Sequence, residues 1–139
     1  MIMHIREALL ATPSKQQTIK IGSYIGNDPD RFHALMTIFL GDDQDEGYRL
    51  TQRSAGVLSY VIEKHPTLIR PYLAQTIDLI SLPGKPPAMV RNGLRLLQLI
   101  DIPEDLQGRI MDICFRFIEA HESAIAIKAF SLGRAPTYY

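Results

Sequence analysis

The sequence has few of the residues that support covalent cross-links or metal chemistry. It contains one cysteine, Cys114, in 139 residues, which excludes an internal disulfide framework and any cysteine-rich zinc or iron–sulfur site. Tryptophan is absent. No stretch approaches the roughly 18 consecutive apolar residues of a membrane-spanning helix, and residues 1–7 lack the pattern of a secretory signal. From these features we expect a protein of the cytoplasm, where thiols stay reduced.

The chain also has a formal net charge of zero. The chain has 15 Lys+Arg and 15 Asp+Glu and a pI near 6.9, whereas domains whose whole surface neutralises phosphate have a pI above about 9. Hydrophobic residues make up 46% and charged residues 22% of the sequence, which is close to an average globular protein. We therefore expect one folded domain spanning residues 1–139 rather than a disordered chain.

Apolar residues recur at helical spacing along most of the chain. Ile110, Ile113 and Phe117, for example, fall on one stripe of a helix that begins near Pro103. No alternating apolar pattern with hairpin turns competes with this interpretation. The spacing predicts an all-α domain of about eight helices. The predicted helix pairs are residues 2–11 with 14–26, 30–41 with 46–64, 67–82 with 87–101, and 104–120 with 122–132.

A cation recurs in the second helix of each predicted pair. The four cations, separated by 33, 38 and 37 residues, are Lys20, Arg53, Arg91 and Lys128. A small residue follows two positions later in three of the four copies, namely Gly22, Ala55 and Gly93, while Phe130 departs from the pattern. A small residue lets a helix approach its neighbour closely, so we expect close helix contacts at these positions.

This recurrence resembles the HEAT and armadillo class of helical repeats, whose units run to about 40 residues. The resemblance lies in the cation and the small residue after it, seen best in Val90-Arg91-Asn92-Gly93 and Arg53-Ser54-Ala55, and in helix-pair spacing across nearly the whole chain. It implies an α–α superhelix, or solenoid, of about four HEAT-like helix pairs with atypical repeats at the ends. In such proteins the second helices usually line a concave binding groove.

Charge is unevenly distributed along these predicted repeats. The net charge changes sign between successive segments, from −3 over residues 1–46 to +5 over residues 47–100 and −2 over residues 101–139. The zero for the whole chain is therefore the sum of an acidic start, a basic centre and an acidic end.

Four arginines on the two central second helices form the predicted partner-binding site: Arg49, Arg53, Arg91 and Arg95. The members of each pair are four residues apart, so they share one helix face. Guanidinium groups bind carboxylates and phosphates through paired hydrogen bonds, which indicates a protein or an acidic peptide as the partner. A structural interpretation stays open for Arg53 and Arg91, because the repeated cation of HEAT-like stacks commonly bridges to an acid or carbonyl of the adjacent repeat.

Patterns typical of enzymes and metal sites are missing along the chain. The histidines are scattered, without ligand spacing, so we predict no metal site and no cofactor. Nucleophile-elbow, Walker and dinucleotide motifs are absent. We interpret Gly22–Gly26 as part of a helix end rather than a phosphate cradle, residues 41–47 as a solvated acidic loop rather than a calcium loop, and Cys114 as a core residue.

Two classes of function remain. We expect a non-enzymatic protein-interaction or scaffold module that binds its partner through the concave face. The alternative is a nucleic-acid-binding HEAT-like protein related to DNA-alkylation-repair glycosylases, against which the missing tryptophan and the modest excess of cations both weigh. We expect no membrane partner. We also consider a homo-oligomer or a part of a larger assembly, because residues 135–139 give little apolar cover.

Overall fold

The computed structural model describes residues 4–11, 13–41, 49–82 and 84–120. Over these residues the fold is all-α, with seven α-helices, one 3-10 helix and no β-strand, so the all-α part of the predicted fold class is confirmed. The helix predicted over residues 122–132 lies outside the described residues. None of the described helices has the length and apolarity needed to cross a membrane. The contacts within the chain divide it into two compact units, Met1–Leu73 and Ala74–Tyr139.

The first unit is organised around its longest helix. Its elements are α1 (Ile5–Leu10), α2 (Lys15–Ile25), α3 (Pro29–Leu40), α4 (Arg49–Lys64) and a 3-10 helix (Pro66–Tyr72). Helix α4 contacts all four of the others. Its apolar stripe, which includes Leu58 and Ile62, is buried together with Phe32 and Phe39 of α3. Burial of this stripe follows from the 3.6-residue period of its apolar residues.

The helix pairs predicted in this unit are both formed. Helix α1 contacts α2, and α3 contacts α4; between the pairs, α2 contacts α4 and α1 contacts α3. This set of contacts is compatible with a helical repeat.

The ends of α2 carry ordinary capping signals. The Ser14 side chain accepts a hydrogen bond from the Gln17 backbone N–H at 3.0 Å, which satisfies one of the donors left free at a helix start. At the other end Gly26 has φ 52°, a left-handed value that glycine tolerates without strain. The segment Gly22–Gly26 is therefore a helix end, as predicted.

The second unit contains α5 (Leu73–Ser81) from Ala74 onward, α6 (Pro87–Gln98) and α7 (Glu104–Ala120). Its buried apolar residues include Ile77, Leu94 and Ile110. Cys114 is 2% exposed, which confirms its prediction as a core residue.

The single α-helix predicted over residues 67–82 is wrong in its first half. The chain instead forms the 3-10 helix Pro66–Tyr72, and α5 begins only at Leu73. Pro71 lies inside the 3-10 segment. Proline has no backbone N–H, and its ring collides with the carbonyl four residues earlier in an α-helix. The apolar spacing of this segment is helical, but the proline prevents one continuous α-helix.

Candidate functional site

The four predicted arginines occupy two helices. Arg49 and Arg53 lie one turn apart on α4 in the first unit, and Arg91 and Arg95 lie one turn apart on α6 in the second. The structure thus brings together the two members of each pair. The surroundings of the two pairs differ.

Arg53 is half-buried and bridges two elements of the first unit. Its Nη1 donates hydrogen bonds to the carbonyl oxygens of Leu9, at 2.9 Å, and Ala11, at 3.2 Å. These carbonyls stand at the end of α1, where a helix leaves its last oxygens without intrahelical donors. The structural interpretation left open for Arg53 therefore describes its observed contacts, since it caps the helix of the preceding pair.

The other three arginines differ in exposure. Arg49, the first residue of α4, is half-buried and interacts within the protein. Arg91 is half-buried on α6, whereas Arg95 is exposed in the last turn of that helix. No acidic residue lies on α6, and the nearest acids in the sequence are Asp78 and Asp101. Among its charged residues, helix α6 therefore carries only cations, and Arg95 is exposed.

A cleft of about 130 Å³ opens between α1, α2 and α4 in the first unit. Leu9, Ile21 and Val57 contribute apolar walls, while Gln17 and Arg53 contribute polar groups. Gln17 is held in place because its Nε2 donates to the Ala8 carbonyl at 3.1 Å. Among the described residues that line the cleft, Arg53 alone is charged.

Sequence patterns did not predict this cleft, because it depends on how α1 lies against α4. One sequence signal was present. Gly56 is a glycine in the interior of a strongly amphipathic helix, where it destabilises the helix relative to alanine. In the structure a Cβ added at Gly56 would meet nothing within 4 Å, and Gly56 lines the cleft.

A second polar contact that sequence reasoning missed joins α3 to the 3-10 helix. The His33 Nδ1 and the Tyr72 hydroxyl are 2.8 Å apart, and the Thr37 hydroxyl donates to the His33 carbonyl at 2.8 Å. This contact joins two polar side chains at the surface. Within the part of the chain that the structure describes, no group of three or more His, Cys, Asp or Glu side chains is placed to hold a metal ion.

Comparison with known proteins identifies no relative. No family model, no curated protein and no solved structure matches the chain.

Proposed function

We propose that this chain is a HEAT-like helical-repeat module of the cytoplasm that acts without a cofactor, by binding an acidic segment of a partner protein. The observation that carries the proposal is the cationic face of α6, where Arg95 is exposed and Arg91 lies one turn before it. Because α6 has no acidic residue of its own, these guanidinium groups are available to carboxylates of a partner.

The contacts of the first unit support the repeat character of the module. Arg53 bridges from the second helix of one pair to carbonyls of the preceding pair. Gly22 of α2 lies close to Tyr60 of α4, at the position where the repeat pattern predicts close approach. The proposed superhelix of about four pairs, with its second helices along a concave face, extends these contacts to the whole chain.

A charge-reversal comparison tests the proposed surface. A fluorescein-labelled peptide of eight glutamates is titrated with the full chain at low and at physiological salt, and its anisotropy is followed. We expect Arg91→Glu with Arg95→Glu to weaken binding about tenfold or more, because each substitution replaces attraction by repulsion. The matched control, Arg109→Glu with Arg116→Glu, changes the net charge equally at arginines that already pair with Asp78 and Asp112.

Equal weakening by both double variants, or no binding of the peptide by the wild type, would contradict the proposal. A duplex DNA of about 20 base pairs is the competing probe. Tighter binding of DNA than of the peptide, with an affinity that falls steeply with salt, would favour the nucleic-acid alternative on the same cationic helix.

A further inference from the structure

We propose that the cleft between α1, α2 and α4 binds a small carboxylate with a short apolar tail, and that Arg53 holds its charged end. The site lies wholly within the first unit and does not depend on the function proposed for α6. Its ligand class follows from the size of the cleft, the character of its walls and the unused hydrogen-bond donors of Arg53.

The walls and the volume of the cleft define the polarity and the size of the ligand's tail. Leu9, Ile21 and Val57 line the cleft and are themselves almost fully buried, so they are fixed apolar surface rather than mobile side chains. The volume of about 130 Å³ is close to that of an engineered cavity of about 150 Å³ that binds benzene. The ligand is therefore a compact group of roughly six to eight heavy atoms, well below the size of a drug-like molecule.

Arg53 defines the charged end. Both of its hydrogen bonds to α1 come from Nη1, and they hold the guanidinium plane in place. Its Nε and Nη2 make no hydrogen bond to any residue of the described segments. Two neighbouring N–H groups on one edge of a guanidinium match the two oxygens of a carboxylate. None of the described lining residues is acidic, so no internal carboxylate competes for that edge.

Gly56 explains how the cleft stays open. Packing does not require a glycine here, since an added Cβ would meet nothing within 4 Å, and glycine weakens the interior of a helix. Any larger side chain at this position would project from the same face of α4 as Arg53, because the two residues are three positions apart. A glycine at this position keeps the wall beside Arg53 free for a ligand.

Two kinds of ligand carry the carboxylate and apolar tail that fit the cleft. A free aliphatic acid presents a carboxylate on an apolar tail, and so does the last residue of a peptide that ends in leucine or valine. The charge and shape that the cleft recognises are the same in both, so the experiment includes one probe for each source.

The test is a titration of the ¹⁵N-labelled full chain followed by two-dimensional NMR. The first probe is 4-methylpentanoate, and its neutral counterpart is 4-methylpentanamide, which has the same shape. For a ligand of this size we expect a dissociation constant near about 1 mM, with saturable shifts of amides in α1, α2 and α4. The amide lacks the negative charge of the acid, so it should bind about ten- to hundredfold more weakly.

Two variants and a matched control locate the site. Gly56→Leu should abolish the saturable shifts by filling the cleft, while Gly108→Leu on α7, where an added Cβ likewise meets nothing within 4 Å, should leave them unchanged. Arg53→Lys keeps a cation but presents no planar pair of donors, so binding should weaken about tenfold. If Gly56→Leu fails to fold, the comparison of 4-methylpentanoate with 4-methylpentanamide on the wild-type chain still tests the proposal.

The peptide arm uses acetyl-Gly-Leu with a free carboxylate and the same peptide as an amide. Tighter binding of the peptide acid than of 4-methylpentanoate identifies a chain terminus as the source, and the reverse order identifies a free acid. Equal shifts with acid and amide, unchanged binding in Gly56→Leu, or no saturable shifts up to about 20 mM, some twentyfold above the expected dissociation constant, would overturn the proposal.

Discussion

Gly22 on α2 lies against the ring of Tyr60 on α4, with no room for a methyl group between them. The ring is in turn covered by the Lys64 ammonium, 5.0 Å from its centroid, in a cation–π contact. Close approach of the two helices at this point depends on the missing side chain of Gly22. The same relationship recurs in the second unit, where Gly93 of α6 lies against Ile80 of α5.

Gly22→Ala should destabilise the protein. The new Cβ would overlap Cδ1 and Cε1 of the Tyr60 ring and make a tight contact with Cγ at 3.3 Å, so overpacking should lower the free energy of unfolding by about 1–3 kcal/mol. Gly56→Ala is the matched control on α4, and we expect it to raise that free energy by about 0.5–1 kcal/mol. Urea unfolding followed by circular dichroism measures both. If the two variants had similar free energies of unfolding, α2 and α4 could move apart to accommodate the new methyl group without a loss of stability.

Gly93→Ala should have a similar effect in the second unit. Its Cβ would collide with Cγ2 of Ile80, and Ile80 is only 3% exposed, so the neighbour has little room to move. We expect a loss of about 1–3 kcal/mol in the free energy of unfolding. Gly108→Ala on α7 meets no neighbour and should stabilise the protein by about 0.5–1 kcal/mol. A stabilised Gly93→Ala variant in thermal unfolding would contradict the packing described for Ile80.

Replacing Arg53 and replacing Arg95 by an uncharged residue should change the stability of the protein to different extents. Arg53→Met removes the hydrogen bonds to Leu9 and Ala11 and should lower the free energy of unfolding by about 1–3 kcal/mol. Arg95→Met, at an exposed position, should change it by no more than about 0.5 kcal/mol. Chemical unfolding of both variants makes the comparison. A neutral effect of Arg53→Met would show that the capping of α1 contributes nothing to stability.

Thr51→Val should stabilise the protein. Thr51 is fully buried on α4, and its Oγ1 has no hydrogen-bond partner within the described part of the chain. Replacing the hydroxyl by a methyl group of similar shape removes an unsatisfied polar atom, for a gain of about 1 kcal/mol.

Ser54, one turn further along, provides the control for Thr51. Its hydroxyl donates to the Thr51 carbonyl at 2.8 Å, so Ser54→Ala should lose about 1 kcal/mol. Differential scanning calorimetry should therefore give melting temperatures that move in opposite directions. A lower melting temperature for Thr51→Val would reveal a partner for its hydroxyl.

Asp28→Ala should weaken the start of α3. The Asp28 Oδ1 accepts hydrogen bonds from the backbone N–H groups of Asp30, at 2.9 Å, and Arg31, at 3.1 Å. Loss of this cap should lower the free energy of unfolding by about 1 kcal/mol. Asp28→Asn keeps an acceptor oxygen and should lose much less, as measured by urea unfolding. Equal losses in the two variants would indicate that the charge of Asp28, rather than its hydrogen bonds, matters.

Local patterns in the sequence predicted most of the described elements. The stripe predicted from Ile110, Ile113 and Phe117 is buried on α7, which begins at Glu104, directly after Pro103. The close approach at Gly22 and Gly93 was also predicted correctly, because a small residue on an otherwise apolar stripe favours direct contact between two helix backbones.

Features that depend on tertiary placement were predicted less well. The apolar spacing before Leu73 did not distinguish an α-helix from a 3-10 helix, since the decisive factor is the position of Pro71. A bridge from Arg53 to an acid or carbonyl of the adjacent repeat was predicted as its structural role, but its acceptors on α1 were not identifiable, because they lie more than 40 residues away in sequence. The cleft beside Gly56 was not predicted for the same reason, because its walls come from helices that are distant in sequence. Partner binding by Arg49, Arg53, Arg91 and Arg95 stays a prediction.

Helix α1 is only six residues long, which is too short to persist as an isolated helix in water. Its end is held by a guanidinium 44 residues further along the chain. Because an isolated helix of this length is unstable in water, we expect α1 to keep its helical structure only while it contacts α4. In native-state hydrogen exchange the amides of α1 should open before those of α4, and a cleft built on α1 exists only while that short helix is in place.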